Sequence, residues 1–192
     1  MNSGGMLLKS NGLISRDGAA LIIIDVQEKL FPLISDGERV LNNLYKLIQF
    51  ARIINMPIIL TEQYPKGLGP TIPEIKKILL DVQPIEKVEF SCFGSEKFRK
   101  AVRGLSVETL IIAGIEAHIC VVQTAIEGVK EGYRVCVVSD ATSSRNPEDK
   151  EIALERLREN GVTVASTEML IYELLKRAGT QEFREALKLI KS

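Results

Sequence analysis

The chain alternates between two hydrophobic periods. Ala19 to Ile24 is an unbroken apolar run, rich in β-branched residues, that stops at Asp25. A strand buried on both faces of a parallel sheet reads this way, because neither face can carry polar side chains. From Asp36 the period becomes helical. Val40, Leu41, Leu44, Leu47, Ile48, Ala51 and Ile54 line one face, and Pro57 then opens a second apolar run at Ile58, Ile59 and Leu60. Strand, helix and strand in this order make a βαβ unit.

Thr61 to Pro73 carries Gly67, Gly69 and the prolines Pro65, Pro70 and Pro73, which predicts a long ordered loop of the functional kind. A short strand over Pro84–Val88, a short helix over Ser95–Val102 and a buried strand over Val107–Ala113 follow. Ile119 to Glu131 reads as an amphipathic helix closed by Gly132. The alternation continues with a strand over Tyr133–Ser139. Asn146 caps a helix with Pro147 at its first position, which runs to about Asn160 and stops at Gly161. Val162–Ala165 gives the last strand, and two helices close the chain, over about Thr167–Arg177 and Gln181–Lys191. The expected architecture is α/β, a three-layer α/β/α fold on a six-stranded, mostly parallel sheet. Without internal repeats or low-complexity linkers, residues 1–192 read as a single domain, with residues 1–17 as a flexible or extended N-terminal segment.

Composition narrows the function. The 192 residues are 45% hydrophobic and 26% charged, with 25 basic side chains against 25 acidic ones. One globular domain without a basic surface has no electrostatic reason to hold nucleic acid or an anionic membrane. No apolar run approaches the roughly 18 residues of a membrane helix, and Met6-Leu7-Leu8 is too short for a signal-peptide core. A cytoplasmic protein is expected. Cys92, Cys120 and Cys136 form no CxxC pair, and His118 is the sole histidine. An ordinary zinc site is thus not expected, and HExxH is impossible. Any Ser-His-Asp or Cys-His pair would have to use His118, which otherwise reads as structural or lining, with a role in orienting substrate left open.

In open parallel sheets ligands bind beyond the carboxyl ends of the strands, and there the chain presents Asp25, Lys87 and Cys120. The first turn, DVQEKLF, has no GxGxxG or GxxxxGK[ST], so a nucleotide is not expected. Cys120 lies near a predicted helix start. The positive helix end, and an ammonium such as Lys87, would lower its pKa and favour the nucleophilic thiolate. Asp25 could take the thiol proton and return it to a leaving amine, and backbone N–H groups between Ile115 and Cys120 could face an oxyanion. Each residue also has a plainer reading: Asp25 as a turn cap, Lys87 as a solvated strand end, Cys120 as a small buried apolar group at a helix start, and Cys92 and Cys136 likewise as small buried apolar groups.

These residues resemble the isochorismatase-like cysteine hydrolases, which include nicotinamidase and N-carbamoylsarcosine amidohydrolase. The resemblance rests on three ordered blocks: LIIIDVQEKLF from Leu21 to Phe31, Lys87 ahead of FSCFG, and LIIAGIEAHICVVQTA from Leu110 to Ala125. It implies Cys120 as nucleophile, Asp25 as general base and acid, and Lys87 as the cation supporting both. It also implies a cis peptide between Ile115 and Glu116, with the N–H groups of Glu116 and Cys120 as the oxyanion hole. TEQYPKGLGPTIPEI and GIEAHIC look like the "isochorismatase domain-containing" subgroup. Nicotinamidases hold a metal with an aspartate and histidines, whereas Thr61–Pro73 has neither, so no metal and no cofactor are expected.

The expected activity is hydrolysis of a C–N bond in a small amide or ureido compound through a Cys120 thioester. Phe31, Gln63, Tyr64 and Phe90 are the candidate substrate-lining residues, since their loops converge on one edge. The alternative is a non-catalytic binding or scaffold protein on the same fold. A redox-sensing thiol ranks behind both, for want of a resolving partner near Cys120 in sequence. The resemblance further implies a homo-oligomer, a dimer, tetramer or larger assembly, acting on a small molecule. The even charge balance and the lack of a long apolar run argue against nucleic acid or membrane as partner.

Overall fold

A computed structural model describes residues 12–191. Six parallel strands form one sheet: β1 (Ala19–Ile24), β2 (Ile58–Gln63), β3 (Ile85–Lys87), β4 (Thr109–Ile115), β5 (Arg134–Ser143) and β6 (Thr163–Ala165), in the order β3-β2-β1-β4-β5-β6. All five strand pairings are parallel. Every residue of β1 is buried, and its side chains alternate between two cores. Ala19, Leu21 and Ile23 join one with α1 (Gly37–Ile53), α7 (Thr167–Leu175) and α8 (Gln181–Ile190). Ala20, Ile22 and Ile24 join the other with α4 (Glu96–Gly104), α5 (Val122–Lys130) and α6 (Pro147–Glu159). An unbroken apolar run is what a strand covered on both faces requires.

Several boundaries differ from expectation. Thr61, Glu62 and Gln63 are not loop but the end of β2, and the segment beyond them contains the short helices α2 (Pro65–Leu68) and α3 (Pro73–Lys76). Polar side chains interrupted the apolar signal there, although the backbone continues its ladder against β3. The helix expected from Ile119 begins instead as a π-helical turn over Ala117–Val121, and α5 starts at Val122. β5 extends past Ser139 to Ser143 across a register shift against β4, with Asp140 turned out of the sheet to accept from the Thr167 N–H and hydroxyl at 2.8 Å. Of the segment 1–17, residues 1–11 lie outside the described residues. Residues 12–17 carry no regular element, yet Ile14 is buried and donates its N–H to Glu173 Oε2 at 2.9 Å.

The strand order reverses between β1 and β4, whose first connections run to opposite sides of the sheet. A crevice opens at the carboxyl ends of strands about such a switch point. Gly114 makes the close approach possible: its φ is +119°, and a Cβ there would fall 2.2 Å from the Ile24 carbonyl oxygen.

Candidate active site

Asp25 follows β1, Lys87 ends β3 and Cys120 lies in the turn after β4, so three strands deliver them to the crevice. Asp25 leaves the strand with a left-handed backbone, φ +52°, an uncommon conformation for a residue with a side chain. Its carboxylate is fully buried and serves two donors. Oδ2 accepts from Lys87 Nζ at 2.7 Å, and Oδ1 accepts from Thr61 Oγ1 at 2.7 Å.

The Lys87 ammonium is saturated. Besides Asp25 it donates to Gln63 Oε1 at 2.6 Å and reaches the carbonyls of Glu89 and Phe90, each at 3.3 Å. Burial works against the charged form, but the facing Asp25 carboxylate and the nearby thiols outweigh it, and the Lys87 pKa is raised.

Cys120 is 5% exposed, with Sγ 4.0 Å from Gln63 Oε1, the thiol donating. The lowered pKa expected for it is not found. Burial pushes the thiol up, the Asp25 charge adds to that, and Lys87 opposes both without prevailing. The cysteine sits inside a π-helical turn over Ala117–Val121 that leads directly into α5. The resting site is a neutral thiol beside a closed ion pair.

The other cysteines separate. Cys136 lies within β5, and burial drives its thiol up to about 12. Cys92 is also raised to about 12 by burial, yet it faces the site: its Sγ is 4.0 Å from Thr61 Oγ1 and its N–H donates to Thr124 Oγ1 at 2.9 Å. The plain apolar reading of Cys92 missed this placement, as the loop reading of Thr61 missed its bond to Asp25. Alternation along β2 carries the signal, since Thr61 and Gln63 lie two residues apart on one strand face.

Glu116 follows a cis Ile115–Glu116 peptide, and its buried carboxylate accepts from the Arg145 N–H at 3.0 Å. His118 ties the same turn to its surroundings, with Nδ1 2.9 Å from Ser144 Oγ and Nε2 3.9 Å from Asp149 Oδ2. Of the expected lining residues, Gln63 lies inside the polar cluster. Phe31 packs on the α1-side core with its ring over Gly37. Phe90 is 57% exposed, while its carbonyl faces Lys87. Tyr64, with φ +39°, borders a cavity of about 420 Å³ together with Glu86, Lys87, Val88 and Ser95.

Gln27 clamps the segment after β2. Its Nε2 donates to the carbonyls of Gln63 at 3.0 Å and Gly69 at 2.7 Å, and its Oε1 accepts from the Gln63 N–H at 2.8 Å. Among the described residues no three His, Cys, Asp or Glu side chains gather as a metal site, and no helix is long and apolar enough to cross a membrane.

Residues 19–169 match the model of the isochorismatase domain. The zebrafish (Danio rerio) isochorismatase domain-containing protein 2 is 39% identical over 93% of this chain and 90% of its own. A Caenorhabditis elegans structure described as the MAR1 ribonuclease superposes with a TM-score of 0.86 at 35% identity, covering 94% of this chain and 93% of that one. The Escherichia coli YcaC gene product, described as an octameric hydrolase of unknown specificity, superposes at 0.85 with 28% identity, covering 95% and 89%. With a matching domain model across most of its length, relatives of this similarity and the same six-stranded parallel sheet, the chain belongs to the isochorismatase family and carries that family's hydrolase fold.

Proposed function

We propose that this protein is a cysteine hydrolase that cleaves the C–N bond of a small amide or ureido compound without a catalytic metal. The observation that carries the reading is the buried contact set joining Asp25, Lys87, Gln63 and Cys120 at the switch point. Cys120 gives its proton to Asp25 as Sγ attacks the substrate carbonyl carbon, and the carbonyl π pair moves onto oxygen. The N–H groups of Glu116 and Cys120 receive that oxyanion. As it collapses, the C–N bond breaks and the amine leaves with the proton held by Asp25. Water then gives a proton to the same carboxylate and attacks the thioester, releasing the acid and restoring the thiol. Lys87 keeps its charge throughout and balances Asp25. A raised thiol pKa suits this order, because attack and proton transfer are coupled and no free thiolate has to persist in a buried site.

The test is ammonia release from a panel of small primary amides and ureido compounds, with intact-mass detection of a trapped acyl-enzyme. Wild type is expected to release ammonia and Cys120→Ser to fall by at least about a thousandfold, as for loss of a covalent nucleophile. Absence of both ammonia and adduct across the panel turns the reading toward a non-catalytic binding protein. Likeness to a structure described as a ribonuclease favours a second reading, RNA cleavage. An even balance of 25 acidic and 25 basic side chains gives RNA little electrostatic attraction, and a labelled oligonucleotide in the same assay decides between them. The octameric YcaC relative supports homo-oligomerisation here, which sedimentation of the purified protein measures.

A further inference from the structure

We infer that Gln63 is a positioning residue for the nucleophile: its amide oxygen draws one Lys87 N–H away from Cys120 and at the same time faces the thiol, so that ammonium and thiol share one neutral acceptor. This deepens the reading of Cys120 as nucleophile and rests on it.

An ammonium has three N–H bonds. Here one goes to Asp25 Oδ2 at 2.7 Å, one to Gln63 Oε1 at 2.6 Å, and the third lies between the Glu89 and Phe90 carbonyls at 3.3 Å each. None is left for sulfur. The orientation of the amide is set by its neighbours. Lys87 can only donate, so oxygen must face it, and the Val88 carbonyl can only accept, so Nε2 must face that, at 2.7 Å. Gln27 holds the Gln63 backbone at both its N–H and its carbonyl. The side chain is therefore preorganised, and at 7% exposure it is nearly closed to solvent.

The charged and titratable groups acting on the Cys120 thiol are Asp25, Lys87 and Cys92, none of which the substitutions below alter. Removing the amide oxygen frees one Lys87 N–H to turn toward sulfur, which favours thiolate. Placing a carboxylate there sets a second negative charge beside the thiol, which disfavours it. Two substitutions at one position should thus act in opposite directions, and a purely structural role cannot produce that.

The experiment measures the rate of Cys120 alkylation by iodoacetamide at fixed pH values between about 6 and 9, where only a small thiolate fraction reacts. It is read by peptide mass spectrometry in wild type, Gln63→Leu and Gln63→Glu, with near-ultraviolet circular dichroism checking the fold. Below the thiol pKa the rate follows the thiolate fraction, so it is expected to rise about tenfold in Gln63→Leu and fall about tenfold in Gln63→Glu. Unchanged rates, or changes of the same sign, overturn the inference. Should Gln63→Leu not fold, Gln63→Glu decides alone, and a rate that stays or rises overturns it. Opposed changes in an enzyme that turns over no amide defeat the catalytic reading while upholding the positioning one. Unchanged rates in an active enzyme do the reverse.

Discussion

Lys87 and Asp25 form an ion pair whose side chains are both fully buried, with Thr61, Gln63 and two carbonyls completing their hydrogen bonds. Such a pair adds little net stability over an apolar pair, but losing one member strands a charge in a low dielectric. Asp25→Asn is expected to destabilise the fold by about 3–5 kcal/mol in urea denaturation at neutral pH. Asp25→Asn combined with Lys87→Met should recover part of that loss and still release no ammonia. A double variant no more stable than the single one would mean that Asp25 holds the fold through Thr61 rather than Lys87. All three members of the proposed triad were legible as residues at or beyond the carboxyl ends of strands. What was not legible was the sign of the Cys120 shift, because a sequence shows that an ammonium is present but not that its N–H bonds are already spent.

Among the elements, helix ends follow local chemistry closely. Asn146 accepts from the Glu148 N–H and Pro147 opens α6, as that dipeptide predicts; Ser166 and Thr180 cap α7 and α8 in the same way. Asn146→Ala should cost about 1 kcal/mol of stability, measured by thermal unfolding, with the site unaffected. The β1–β4 crossing is less forgiving. Gly114→Ala would place a methyl group 2.2 Å from one backbone oxygen and 2.7 Å from a backbone nitrogen of Ile24, at a φ that strains any side chain. The expected loss is about 3 kcal/mol or more, because the two central strands must part. A Tm within a degree or two of wild type would show that they separate at no cost. β2 exposes the limit of periodicity. Its last three residues are polar and buried, which reads as loop until one sees that their polar groups are paired with Asp25, Lys87 and Thr71.

Across the whole molecule the three thiols set an alkaline limit. Each is held neutral in the folded chain, with Cys92 and Cys136 at about 12 against an ordinary 9.0, and Cys120 raised as well. Above pH 9 the unfolded chain gives up thiol protons that the folded chain retains, so the unfolded state binds fewer protons and stability falls as pH rises. The raised Lys87 acts with the same sign: its contribution is complete below its unfolded pKa of 10.5 and is lost above its folded one. Between pH 9.5 and 11 the expected slope is about 1.4 kcal/mol per pH unit for each thiol. Chemical denaturation across that range checks it, and Cys136→Ala should reduce the slope by one thiol's share. A flat profile would mean that the thiols ionise without unfolding.

The sequence by itself determined the α/β fold on a mostly parallel sheet, the Asn146 cap and the approach of Asp25, Lys87 and Cys120 to one edge, because hydrophobic period and strand-end chemistry are local properties of the chain. It also carried the family resemblance in three ordered blocks. Only the tertiary structure decided the reach of β2, the place of Thr61 and Cys92 beside Asp25, the saturation of Lys87 by Gln63 and two carbonyls, and the neutrality of the resting thiol. Those properties depend on burial and on which donor meets which acceptor across strands 24 to 62 residues apart in sequence, and neither is written in any window of the chain.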